Sequence, residues 1–263
     1  MTTASTTHQE LSIEVAGGEV FVRTGGSGDP LFVIHHDIGA HAWTPFYERL
    51  AESFTVYLPD LPGFGKSKRP EWARNVRDIV ALAGLTLDEL DLPRASVVGL
   101  GFGGYVAAEL ATTAQARINK LTLAGAMGVK PEQGEIFDQF LVSHEDYVRS
   151  GFADEGSFEE HFGDESDIEQ LMVWDINREM TTRVGWKPYM HNPVLPEYLK
   201  LVEVPSLIVW GREDGIVPLN AGEIYHQSLK GSTLRIIEEC GHSPQFEKPQ
   251  EFLDATLEFL SKL

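Results

Sequence analysis

Two side chains in the carboxyl-terminal part of the chain have the chemistry of an acid–base pair. Asp214 lies in the stretch GREDGIVP and His242 in CGHSPQFEKP, each shortly after an apolar run. An imidazole can take a proton from an attacking group, and a carboxylate can orient the ring and stabilise its charged form. Taken singly, each has a plainer interpretation, Asp214 as a turn-forming aspartate and His242 as a histidine of a surface loop.

The stretch ASVVGLGFGGYVAAEL raises the question of which group would attack a substrate. An apolar run enters a glycine-rich turn, and a helix with small residues follows. Glycine at 99, 103 and 104 suits a strand that turns sharply into a helix. The central residue of such a turn has positive φ, which Gly101 adopts at no steric cost. A Gly-rich phosphate loop is the alternative interpretation, but alone that motif is a weak signal.

Strands and helices alternate through most of the chain, which predicts an α/β fold. Buried, non-alternating apolar strands with helices between them indicate a mostly parallel central sheet flanked by helices. We predict a flexible tail at 1–10 and one core domain from 11–126 and 205–263. The predicted strands are LSIEVAG, EVFVRTGG, PLFVIHH, FTVYLP, RASVVGL, INKLTLAGA, SLIVWG and STLRIIEE.

The alternation stops between residues 127 and 204, where aromatic and acidic residues recur at helical spacing. A segment of about 75 residues is too long for a structureless loop inside a compact domain. We predict a helical cap inserted over the carboxyl ends of the strands, where open α/β sheets bind ligands.

The chain resembles the α/β-hydrolase superfamily of the cap-bearing type over about residues 11–263. Four motifs in the order of that family carry the resemblance: DLPGFGKS, VVGLGFGG, VWGREDGIVP and EECGHSPQFEKPQEF. The resemblance implies that Asp214 is the acid and His242 the base of a triad. It also implies that Gly101 occupies the position of the nucleophile, whose side chain is then absent. The oxyanion hole would use the backbone N–H groups of Phe102 and Asp37.

The chain departs from the family pattern in IHHDIG, which has His36 where the family usually has glycine. The carboxylate of Asp37 could act as a general base or acid, or it could hydrogen-bond the backbone of the turn at Ile38 and Gly39. Candidate substrate-binding residues form a wider set. They are His36, His41, Trp174, Trp186 and Arg183, with packing of the cap as the alternative for the tryptophans.

Composition limits the partners. With 21 Lys and Arg against 40 Asp and Glu, the net charge of −19 disfavours nucleic acid. Apolar runs stay below the ~18 residues of a membrane helix, so no membrane partner and a cytoplasmic location are expected. The single cysteine, Cys240, excludes an internal disulfide and a cysteine zinc cluster. We therefore predict a small-molecule substrate, no cofactor and no metal, and leave a homodimer open.

The motifs favour a hydrolase-like enzyme in which His242, oriented by Asp214, acts as general base without a covalent intermediate. A lyase or isomerase needs the same groups. A non-catalytic small-molecule-binding protein or an inactivated serine hydrolase variant would also have these motifs. If only the nucleophile is missing, Gly101→Ser is expected to place a hydroxyl beside the base and to add slow ester turnover.

Overall fold

A computed structural model describes residues 8–40, 42–163 and 167–262. Its centre is an eight-stranded, mostly parallel sheet in the order β1-β2-β4-β3-β5-β6-β7-β8, in which the β1–β2 and β2–β4 pairs are antiparallel. The predicted fold class is confirmed. The strands are β1 Gln9–Val15, β2 Gly18–Gly25, β3 Asp29–Ile34, β4 Phe54–Pro59, β5 Ala95–Leu100, β6 Ile118–Ala124, β7 Ser206–Gly211 and β8 Thr233–Ile237.

Helices cover both faces of this sheet. They are α1 Pro45–Ala51, α2 Val76–Glu89, α3 Phe102–Ala114, α4 His144–Ser150, α5 Glu155–Phe162, α6 Ile168–Gly185, α7 Leu195–Leu199, α8 Leu219–Ser228, α9 Pro244–Glu247 and α10 Pro249–Ser261. Val97 packs into the core beside α2, α3 and α8, and Val98 into the core beside α1 and α10. Successive side chains of a strand point to opposite faces. A strand buried on both sides therefore has a continuous apolar sequence.

The amino-terminal strand corrects one predicted boundary. Strand β1 begins at Gln9, which pairs with Thr24 of β2. The last two residues of the predicted tail are therefore held in a hairpin, because their backbone groups find partners in β2. Residues 1–7 of that tail lie outside the described residues.

The segment between β6 and β7 contains helices α4 to α7. Helix α6 begins at the cap residue Asp167, whose side chain accepts a hydrogen bond from the amide of Gln170 at 2.8 Å. From the middle of α6, Asn177 donates to the carbonyl of Ile38 at 2.9 Å and accepts from the amide of Gly65 at 3.0 Å. The helix is thereby tied to the loops that follow β3 and β4. None of the described helices is long and apolar enough to cross a membrane.

Candidate active site

The turn from β5 into α3 is sharp, and glycine permits it. Gly101 has φ 52° and ψ −116°. A Cβ atom on Gly103 would lie 2.2 Å from the carbonyl oxygen of Ile34, and one on Gly99 would lie 2.6 Å from the carbonyl oxygen of Gly103. Real Cβ atoms do not approach backbone so closely. The small residues that the sequence shows here are thus required by the close approach of β3, β5 and α3.

The structure brings Asp214 and His242 together at the carboxyl edge of the sheet. Nδ1 of His242 lies 2.8 Å from Oδ2 of Asp214, and neither side chain is more than 1% exposed. The other carboxylate oxygen of Asp214 accepts from the amides of Ile216 and Val217 at 2.9 and 2.8 Å. The carboxylate is fixed by its own loop, so it fixes the orientation of the imidazole in turn.

The space over Gly101 is filled by two side chains from the loop after β3. A Cβ atom on Gly101 would lie 2.7 Å from Oδ1 of Asp37 and 2.8 Å from Nε2 of His36. Gly101→Ser would therefore do more than add a hydroxyl beside the base. Any side chain at this position must first displace His36 and Asp37, and both are buried.

Asp37 is bound by the cap rather than by its own turn. Its Oδ2 accepts a hydrogen bond from the hydroxyl of Tyr147 at 2.7 Å. Its Oδ1 lies 2.7 Å from Nδ1 of His36 and 3.8 Å from Nε2 of His242. The turn is closed instead by the amide of Gly39, which donates to the carbonyl of His36 at 2.8 Å. The carboxylate therefore faces His242, and the turn-capping interpretation of Asp37 is wrong.

The charges of these groups depend on one another. Burial opposes ionisation of Asp37, but the His36 and His242 rings hold its pKa well below the usual value. Burial also disfavours the imidazolium of His242, yet the carboxylates of Asp214 and Asp37 raise the pKa of His242 to about 10. Burial and the charge of Asp37 raise the pKa of Tyr147. The two carboxylates therefore stabilise the imidazolium that forms when His242 takes up a proton.

Several polar atoms of this cluster are buried without a hydrogen-bond partner among the described residues. They are both ring nitrogens of His36, Oδ1 of Asp37 and Nε2 of His242. These three residues also form a group whose potential metal-ligand atoms all lie within 4.8 Å of one another. The sequence predicted no metal site, because these residues come from opposite ends of the chain and no local spacing connects them.

The remaining predicted site residues separate into near and distant ones. Trp174 is buried and lines a cavity of about 10 Å³ beside Asp37. Trp186 lies about 18 Å further along α6, is 58% exposed and packs its ring against Phe140. Arg183 donates to the backbone carbonyls of Glu71 and Ala73. Neither Trp186 nor Arg183 lines the cavity beside Asp37, because the far end of α6 packs on the loop before α2.

Two other predicted site residues, Phe102 and His41, are less fully described. Phe102 is the first residue of α3, where backbone amides have no acceptor within the helix. The oxyanion hole at Phe102 and Asp37 stays a prediction. His41 lies outside the described residues.

Most of the residues around the cavity were not predicted from the sequence. Gln139, Tyr147 and Arg178 line it together with Trp174. Tyr147 lies in α4 and Arg178 in α6, within a segment whose acidic and aromatic spacing is that of ordinary helices. No sequence signal distinguishes Tyr147 or Arg178 from neighbouring cap residues.

A profile of the alpha/beta hydrolase family matches residues 25–255. The chain belongs to this family. It is 27% identical to 2-hydroxymuconate semialdehyde hydrolase of Pseudomonas sp. strain CF600, with 95% of this chain and 93% of that protein covered. It is also 27% identical to a 2-hydroxy-6-oxononadienedioate/2-hydroxy-6-oxononatrienedioate hydrolase of Paraburkholderia phymatum, with coverages of 99% and 98%. These names support the prediction of a hydrolase enzyme.

Solved structures show the same fold. The meta-cleavage product hydrolase from Pseudomonas fluorescens IP01 matches with a TM-score of 0.81 and 23% identity, covering 95% of this chain and 97% of that one. The 2-hydroxy-6-oxo-6-phenylhexa-2,4-dienoate hydrolase from Rhodococcus sp. strain RHA1 matches with a TM-score of 0.76 and 23% identity, covering 98% and 100%. At this identity the likeness concerns the fold alone.

Proposed function

We propose that this α/β hydrolase cleaves a small organic substrate by attack of water, without a covalent intermediate at residue 101. The buried His242–Asp214 pair supports this most directly, since its free ring nitrogen faces Asp37 over Gly101. By the resemblance of its motif, Gly101 would occupy the position of the nucleophile, and glycine has no atom that could form an acyl enzyme. His242, oriented by Asp214, acts as the general base, and the carboxylate of Asp37 stabilises the imidazolium that then forms.

The cap controls access to this site. The cavity beside Asp37 has a volume of about 10 Å³, which is room for a single water molecule. A substrate therefore enters when α4 and α6, which carry Tyr147 and Trp174, move away from the sheet. Such closure over a substrate excludes bulk water from the reacting groups.

We propose a carbonyl-containing organic acid as the substrate class. The two relatives named above are hydrolases of 2-hydroxymuconate semialdehyde and of 2-hydroxy-6-oxononadienedioate or its triene, by their names. Arg178 lines the cavity beside Asp37 in this chain and would attract a carboxylate of such an acid.

The test is turnover of a panel of 2-hydroxy-6-oxo-dienoic acids and activated esters in H₂¹⁸O. Hydrolysis incorporates solvent oxygen into the product, whereas an isomerisation or a simple lyase reaction does not. His242→Gln is expected to lower kcat by about 10²–10⁴-fold. The matched control is His226→Gln, which changes an exposed histidine of α8. Turnover that survives His242→Gln, or an acyl adduct at the elbow in the intact mass, would rule out this mechanism.

A further inference from the structure

The cluster over Gly101 has the donor set of a transition-metal site. His36 and His242 each offer an imidazole nitrogen and Asp37 a carboxylate oxygen, all within 4.8 Å of one another. The three side chains are at most 4% exposed. Two histidines and one carboxylate are a recurrent ligand set for Zn²⁺ in catalytic sites and for other first-row divalent ions.

The hydrogen bonding of this cluster is incomplete. Nδ1 of His36 and Oδ1 of Asp37 lie 2.7 Å apart, but they are not aligned as a hydrogen bond, and Nε2 of His242 also has no partner among the described residues. Buried polar atoms of native proteins are nearly always paired, and leaving them unpaired is unfavourable. One cation between them would satisfy one atom of each residue.

The spacing suits an ion of this kind. Ligand bonds of about 2.0–2.1 Å in tetrahedral geometry place neighbouring ligand atoms about 3.4 Å apart. The separations from Oδ1 of Asp37, 2.7 Å to His36 and 3.8 Å to His242, lie on either side of that value. Small side-chain rotations would equalise them.

The outer contacts orient the ligand atoms toward one point. Asp214 binds Nδ1 of His242 at 2.8 Å and leaves Nε2 directed at the cluster. Tyr147 binds Oδ2 of Asp37 at 2.7 Å and leaves Oδ1 directed at it. A carboxylate behind a ligating histidine, and a hydrogen bond behind a ligating carboxylate, are the usual supports of metal ligands.

We infer that His36, Asp37 and His242 bind one divalent transition-metal ion, and that Zn²⁺ fits the site best. Three protein ligands of these types leave a fourth position open for water, as catalytic zinc sites do. For its chemical role, the inference rests on the proposed hydrolase function. Nε2 of His242 would then bind the ion, and the ion rather than His242 would activate the attacking water. Ion binding itself is independent of any reaction.

The experiment is a titration of the full chain with Zn²⁺ by calorimetry, and with Co²⁺ by visible absorption, after treatment with a chelator. One equivalent is expected to bind. Asp37→Asn and His36→Gln are each expected to weaken binding by more than about 100-fold, and Asp214→Asn by about 10–100-fold. The matched control is His226→Gln, because His226 is an exposed histidine of α8 whose Nδ1 lies 2.9 Å from the hydroxyl of Ser232.

The outcomes separate this inference from the proposed function. No binding, binding that survives both Asp37→Asn and His36→Gln in folded protein, or binding that disappears with His226→Gln overturns the inference. Full turnover by ion-free protein overturns the role of the ion in the reaction and leaves the proposed hydrolase intact. Stoichiometric binding without turnover of any substrate supports the site and counts against the proposed function.

Discussion

Two buried carboxylates follow neighbouring strands of the sheet, Asp60 after β4 and Asp37 after β3, and their surroundings differ. Oδ1 of Asp60 accepts from Arg23 at 2.8 Å, and Oδ2 accepts from the amide of Lys66 at 2.9 Å. Asp37 has one partnered oxygen, bound by Tyr147, and one that is buried with no hydrogen bond among the described residues.

The difference shows which buried charge holds the fold and which belongs to a site. The Asp60 network is complete, and it fixes the loop from 60 to 67 between β4 and the cap. The Asp37 cluster is held from outside by Asp214 and Tyr147 and is incomplete at its centre. An unpaired buried polar atom persists only where the surrounding structure enforces it, and at Asp37 such an atom lies 3.8 Å from Nε2 of the candidate base His242.

We expect the largest effect, on stability, from a substitution that breaks the complete hydrogen-bond network of Asp60. Asp60→Asn keeps the shape of the side chain but leaves the buried guanidinium of Arg23 without its counter-charge. Removing one partner of a buried pair costs about 3–5 kcal/mol. Urea unfolding should show this loss, while Glu197→Gln, which breaks an exposed pair with Lys200, leaves stability unchanged. A loss below about 1 kcal/mol for Asp60→Asn would mean that the two networks are equivalent.

The same substitution in the incomplete cluster should affect turnover instead. Asp37→Asn removes the group that faces His242, and we expect kcat/KM to fall by at least about 100-fold, or about 2.7 kcal/mol in the barrier. Stability should change less than in Asp60→Asn, because the amide oxygen can still accept from Tyr147. Parallel unfolding and turnover measurements check both. A variant that is strongly destabilised but fully active would reverse the comparison.

A side chain added at Gly101 tests how firmly His36 and Asp37 occupy the space over this residue, and we expect the next largest effect from it. Gly17→Ala is the matched control, because Gly17 has φ 78° with no atom within 4 Å of an added Cβ. Its cost is the strain of positive φ alone, about 1 kcal/mol. Gly101→Ala adds overpacking, for a total of about 2–3 kcal/mol. Equal losses in urea unfolding would show that His36 and Asp37 move aside freely.

We expect the smallest effect, on turnover, from the loss of the hydrogen bond that holds Asp37 from the cap. Tyr147→Phe deletes the hydrogen bond to Oδ2 of Asp37, and we expect turnover to fall by about tenfold because the carboxylate is no longer fixed. Thr86→Val deletes a comparable buried bond, from the hydroxyl of Thr86 to the carbonyl of Leu82 at 2.8 Å within α2, a helix that carries no residue of the cluster. It should lower stability without changing turnover. If both variants lose turnover equally, Tyr147 acts through stability alone.

Much of the scaffold was predictable because it depends on local patterns. The eight apolar segments became eight strands, and Gly99 and Gly103 lie where the backbone approaches too closely for a side chain. Asp214 and His242 could be paired because their motifs occur in the order that is typical of the α/β-hydrolase family. Arg183 and Trp186 lie away from the cavity beside Asp37, because helical spacing does not show which end of α6 reaches the cluster and which packs on the loop before α2.

The sequence by itself determined the order of the strands and helices along the chain and the sharp turn at Gly101. It also determined the two loops that bring an acid and an imidazole to the carboxyl edge of the sheet. These follow from burial, backbone sterics and the direction of parallel strands. Only the tertiary structure decided that His36 and Asp37 fill the space above Gly101 and that Tyr147 reaches Asp37 from the cap. Those contacts join segments distant in sequence, and side-chain packing rather than any local pattern selects them.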